Sequence, residues 1–298
     1  MSRRFAFAGA ILACLLAGTA PAQQVGPAVT GISDRQQLEE STRLAQALAA
    51  LQPQRPGVVD AYVIVVALDS DPVFNREARE AGRVLANRFD AAGRTITLAA
   101  DEGADKGQAI GSPPNLAQAL ARAAQLMDRN EDVLILYSTS HGSPRLGINY
   151  RDAARGSAVI SPEQLAAVLD EQKFRNRLLI LQACFSGQFL PALSSPGTVV
   201  ATAAAATRSS FGCTASNDWT FFGHALVNQA MRQPDSFVRQ FRRAFVTIFG
   251  WEKKLGVEAS NPQLSVGADT AGWLAALDAR APKAPGVPAG NPPSELSN

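Results

Sequence analysis

Apolar and polar positions follow two rhythms along this chain. Val58 to Leu68 is a continuous apolar run rich in β-branched residues, which predicts a strand buried on both faces. Shorter runs of the same kind occur at Thr95 to Ala99, Val133 to Tyr137, Leu178 to Ala183, Thr198 to Ala201 and Pro262 to Val266. Between them the apolar residues recur at helical spacing. Ser33 is a candidate N-cap for a helix reaching Leu51, with Leu38, Leu44, Leu48 and Leu51 among charged residues. Further helices are predicted over about Asn75 to Ala92, closed by Gly93, then Asn115 to Met127, Pro162 to Asp170, Asp218 to Met231 and Asp235 to Phe249. Strands alternating with helices through short connections imply an α/β fold. Its central sheet is mostly parallel, with helices on both faces.

The chain ends depart from this rhythm. Arg3 and Arg4 precede an uncharged apolar run, Phe5 to Ala17, and Ala20-Pro21-Ala22 supplies small residues at a cleavage position. This predicts a signal peptide over 1–22 and export to the periplasm or the medium. A run of about 13 residues is too short to span a bilayer, so no stable membrane insertion is expected after cleavage. Ile11-Leu12-Ala13-Cys14 loosely fits a bacterial lipoprotein site, the alternative reading, although Leu15 and Leu16 continue the run past the cysteine. Residues 23–57 read as a lead-in and a helix, and 58–280 as one domain without internal repeats. Residues 281–298, with five prolines from Pro282 onward, read as a disordered tail.

Composition narrows the function. The 298 residues are 46% hydrophobic and 18% charged, enough to bury a core. Formal net charge is +2, and cleaving the leader removes Arg3 and Arg4, leaving no basic surplus to attract nucleic acid. Cys184 and Cys213 remain. In an oxidising compartment they could form a disulfide, which would silence either as a nucleophile.

Catalytic groups in open parallel sheets gather at the carboxyl ends of the strands. Two strands here end in reactive residues. Leu134 to Tyr137 runs into Ser138-Thr139-Ser140-His141-Gly142, and Leu178 to Ala183 runs into Cys184-Phe185-Ser186-Gly187. If the strands are neighbours, the imidazole can take the proton of the thiol and return it to a departing amine. The N–H groups of Gly142 and Cys184 can form an oxyanion hole, each donor contributing on the order of 3 kcal/mol. His224, inside a predicted helix, reads as structural, and Asp69 and Asp71 read as a solvated turn rather than a metal site. No Gly-x-Ser-x-Gly elbow follows any strand, which ranks a serine hydrolase last.

Ser140-His141-Gly142-Ser143 and Gln182-Ala183-Cys184-Phe185-Ser186-Gly187 resemble the marks of the legumain-type (asparaginyl endopeptidase) cysteine peptidases, particularly the bacterial exported branch. Ser209-Ser210-Phe211-Gly212-Cys213, the stretch Asn217 to Gly223 and Val73-Phe74-Asn75-Arg76-Glu77 extend the similarity from about Val58 to Gly267. The resemblance implies a caspase-like three-layer sandwich and a cysteine endopeptidase acting on protein or peptide substrates through a thioester, with no cofactor and no metal. By position it implies a Cys184–His141 dyad and a substrate pocket at Arg76, Gln182 and Asp218, where Gln182 replaces a glutamate. Asn75 lies one residue off the asparagine that orients the histidine. Acyl transfer by the same dyad, or a catalytically silent binding protein on this fold, are the alternatives.

Overall fold

The computed structural model describes residues 31–101 and 107–296; the expected signal peptide and Cys14 lie outside these. Chain order runs α1 (Asp34–Ala50), β1 (Ala61–Ala67), α2 (Pro72–Arg88), β2 (Thr95–Leu98), α3 (Pro113–Leu126) and β3 (Val133–Thr139). A small antiparallel sheet follows, of β4 (Gly142–Ser143), β5 (Gly147–Asp152) and β6 (Gly156–Ile160). Then come α4 (Pro162–Glu171), β7 (Asn176–Gln182), the short α5 (Leu190–Leu193), β8 (Thr198–Thr202), a π-helix over Gly223–Gln229, α6 (Phe237–Leu255), β9 (Gln263–Val266) and α7 (Ala271–Arg280).

Six strands form the main sheet in the order β2-β1-β3-β7-β8-β9, parallel throughout except for β9. Strand side chains alternate between faces, and both faces are apolar. Val63, Val65, Ile135, Tyr137 and Ile180 pack under α2, α6 and α7. Ile64, Val66, Leu136, Leu179 and Leu181 pack under α1, α3 and α4. The result is the expected three-layer α/β sandwich with a mostly parallel sheet.

Local chemistry sets the helix starts. Ser33 and Ser161 each accept from the backbone N–H three residues on, and Gln36 and Gln164 reach back to complete capping boxes. Ser112 caps α3, with Pro113 at its first turn.

Three regions differ from the sequence pattern. Residues 142–160, read as a connection, form a hairpin sheet whose turns depend on Gly147 and Gly156 at φ 136° and 102°. The predicted helix from Asp218 becomes helical only from Phe221 and then widens into the π-helix. The segment expected to be a disordered tail is laid against the body, Gly286 N–H donating to the Arg232 carbonyl and Ala289 N–H to Asn228. Its prolines disfavour long helix and sheet, and the N–H groups of Ala289, Asn291 and Ser294 donate to side chains of the body instead. Among the described residues no helix is long and apolar enough to cross a membrane.

Candidate active site

Register brings the two predicted strand ends together. Thr139 at the end of β3 is aligned with Gln182 at the end of β7, and Ser140 N–H donates to the Gln182 carbonyl at 3.1 Å. His141 and Cys184 each follow two residues later, so they leave neighbouring strands at the same height. A Cβ on Gly142 would collide with the Cys184 carbonyl oxygen, so the glycine after the histidine is required by the close approach of the two backbones.

Cys184 leads into a tight turn. Phe185 takes the left-handed conformation at φ 59°, uncommon for an aromatic residue, and its N–H donates to the Arg208 carbonyl at 2.8 Å. Gly187 passes close to the backbone of Ala205 and Ala206. The turn leaves Cys184 partly exposed, with Ser210 N–H directed at Sγ at 3.3 Å.

His141 has a carboxylate partner, Asp71, whose Oδ2 lies 3.1 Å from Nε2. Asp71 holds the N-cap position of α2 but makes no capping hydrogen bond, because its carboxylate turns to the imidazole and to Arg151 at 2.6 Å. Arg151 on β5 also pairs with the buried Asp69 at 3.1 Å, and an isolated bridge joins Asp69 to Arg151. Phe74 meets the imidazole edge-to-face, with ring centroids 4.9 Å apart. The turn read as solvated is therefore an organised, ion-paired device. Asp69, Asp71 and His141 offer ligand atoms within 4.8 Å of one another, and the Arg151 guanidinium pairs with both carboxylates, offsetting one of their two negative charges.

Asn75, the expected orienter, acts one step back. Its Nδ2 donates to the Asp69 and Asp71 carbonyls at 3.4 and 3.3 Å, and its Oδ1 accepts from Ala100 N–H at 2.7 Å. Both polar ends are engaged in shaping the turn that carries Asp71. The carboxylate facing His141 comes from Asp71.

Of the three expected pocket residues, two meet. Arg76 Nε lies 3.2 Å from Asp218 Oδ1, and the same guanidinium donates to the carbonyls of Asn217 and Ala215. Gln182 stands apart, fully buried with its amide beside the Cys213 thiol. Cys184 and Cys213 are both free thiols. Burial pushes the Cys213 thiol far up from its ordinary value, and charge on Cys184 acts in the same direction. Beneath them Glu77 is completely buried and accepts four hydrogen bonds, from Tyr137 and Thr139 on β3 and from the N–H and hydroxyl of Thr220. Burial raises its pKa. Glu77 ties α2, β3 and the segment after Asp218 into one floor.

Sequence reasoning did not single out Asp71 as the histidine's partner, nor Arg151 or Glu77 at all. An acidic residue immediately before a proline-initiated helix was visible. Its partner lay on an unrecognised hairpin, so nothing in the linear pattern joined the two.

In this mostly parallel α/β sandwich, two adjacent strands lead into a carboxylate-backed histidine and a partly exposed cysteine. Residues 115–272 match the model of the peptidase C13 family, more than half of the chain, and the chain belongs to that family of cysteine peptidases. His141, Gln182, Cys184 and Asp218 fall within the match; Asp71 and Arg76 precede it. No curated protein matches the chain. Among solved structures it is similar to caspase-1 from Spodoptera frugiperda, at 12% identity and a TM-score of 0.44, over 73% of this chain and 93% of that one.

Proposed function

We propose that the protein is a cysteine endopeptidase working through a thioester. Nε2 of His141 is engaged by Asp71, which leaves Nδ1 to take the proton of the Cys184 thiol. The thiolate attacks the scissile carbonyl, and the charge developing on its oxygen is received by the N–H groups of Gly142 and Cys184. The protonated imidazole then gives its proton to the departing amine as the C–N bond breaks. Water, deprotonated by His141, hydrolyses the thioester and restores the thiol. The observation that carries this reading is the equal height of His141 and Cys184 on adjacent strands, with Asp71 behind the imidazole.

Arg76 and Asp218 pair at a pocket that Arg79, Glu80 and Arg83 also line, and profiling against a peptide library reads its preference before the cleaved bond. The leader supports export to the periplasm or beyond, as in the bacterial branch that the sequence resembles; N-terminal sequencing of the native protein tests this at the bond before Gln23.

Cys184→Ala is expected to abolish peptide hydrolysis and labelling by thiol-directed probes, while Cys213→Ala retains both. Hydrolysis by Cys184→Ala at the parental rate would overturn the assignment.

A further inference from the structure

Two of the groups that hold Arg76, Asn217 and Asp218, are themselves held by the segment after α7. Asn217, whose carbonyl accepts from Arg76 at 2.7 and 3.1 Å, is buried, and its side chain is clamped from that segment. Its Oδ1 accepts from Ser294 N–H at 3.0 Å, and its Nδ2 donates to Glu295 at 2.9 Å. Glu295 accepts a second hydrogen bond from Thr214, at the other end of the same loop, at 2.9 Å. Asp218, the ionic partner of Arg76, accepts from Asn291 N–H at 2.8 Å through its second carboxylate oxygen. The Trp219 indole N–H reaches the Ala289 carbonyl at 2.8 Å. A cavity of about 220 Å³ is lined by α2 at Arg76, Arg79, Glu80 and Arg83, by Asp218 and Trp219, and by Ala289 and Gly290.

We propose that residues 289–295 form a wall of the substrate pocket, with Glu295 and the backbone of Asn291 as positioning groups that fix the loop bearing Asp218 against Arg76. This rests on the peptidase reading above. The pattern differs from a simple wrap over the surface. The contacts converge on Thr214 to Trp219, and two of them lie one hydrogen bond away from the guanidinium. Burial works to raise the Glu295 carboxyl, but hydrogen bonds from its own N–H, Asn217, Thr214 and Ser294 together hold it below the ordinary glutamate value. The carboxylate is thus charged and accepting where the loop requires it. The geometry implies that substrate choice is set in part by a stretch far in sequence from both His141 and Cys184.

Glu295→Ala removes the clamp on Asn217 and Thr214, and Asn291→Pro removes the N–H donated to Asp218. In the full chain, each is expected to raise KM for peptides about five- to tenfold with kcat within twofold, as expected for lost ground-state binding. Discrimination among residues before the cleaved bond should flatten. Amide exchange across 214–218 should accelerate, while the rate of Cys184 alkylation by iodoacetamide stays at the parental value. Unchanged KM and exchange would overturn the proposal. So would a fall in KM or a rise in kcat, which would make the segment a cover over the pocket rather than its wall. A parental protein that cleaves no peptide would sink the proposed function. The exchange measurement would then decide on its own: unchanged protection of 214–218 in both variants removes the wall.

Discussion

Asp71 shows how one side chain can be diverted from a local role to a distant one. An aspartate at an N-cap ordinarily accepts from its own helix, a contact worth about 1 kcal/mol. Here that contact is given up, and the carboxylate is aligned by Arg151 and directed to His141. A carboxylate on one ring nitrogen fixes the tautomer and supports the imidazolium formed during proton transfer. Asp71→Ala is therefore expected to lower kcat about 10- to 100-fold, on the scale of positioned acid–base catalysis, with little change in KM. Asn75→Ala should act differently, loosening the turn and lowering thermal stability more than it lowers kcat. Steady-state kinetics and melting curves on the two variants separate the roles, and equal losses of kcat would contradict the assignment.

At the scale of elements, the meeting of β3 and β7 governs the site. Their backbones are paired from Val133 and Asn176 to Thr139 and Gln182, and just beyond the paired ends Gly142 lies against the Cys184 backbone. Gly142→Ala forces a Cβ into the Cys184 carbonyl, an overlap of the kind that destabilises by about 1–3 kcal/mol when the backbone must shift. Activity should fall more steeply than stability, because the displaced group is the residue proposed as nucleophile. Retention of both near parental values would show the strands to be farther apart. Much of this level was legible beforehand. The apolar runs marked β1, β3, β7 and β8, and the residues ending two of them marked the candidate site. The β4–β6 hairpin was not legible, because β6 exposes Ser157, Ala158 and Val159 and so lacks a buried face to produce a pattern. Arg151 was missed with it. The docking of residues 286–295 was hidden for a related reason: it uses individual hydrogen bonds to side chains, which leave no periodic trace in sequence.

At the scale of the whole molecule, His224 lies at a junction of the π-helix and α6. Its Nδ1 lies 3.0 Å from the Asn228 amide, its Nε2 3.1 Å from the Gln229 amide, and Trp251 lies alongside. Burial lowers its pKa to about 4 from the ordinary 6.5. As pH falls, the unfolded chain takes up this proton first. The contribution is full above pH 6.5, declines between 6.5 and 4, and levels off below that range, up to about 3 kcal/mol in all. Urea unfolding at pH 7 and pH 4.5 should show the loss in the parental protein and a smaller one in His224→Gln, since other groups titrate equally in both. An equal loss in the two proteins would remove His224 from the account. The structural role read from sequence agrees with this placement; Asn228 and Gln229 lie on its own helix, whereas Trp251 could be known only from the packing of the two helices.

The match to the family model begins at residue 115, after β1 and α2 have already passed. Yet β1 is an interior strand, flanked by β2 on one side and β3 on the other, and every one of its seven residues is buried. A fragment cut at 115 and 272 would retain His141 and Cys184 but expose the flank of β3 as a long apolar edge, an invitation to aggregation. It would also discard Asp71 and Arg76. The stretch that the family model matches is thus smaller than the unit that folds. Anyone trimming this protein for expression should take the boundary from the sheet rather than from the match.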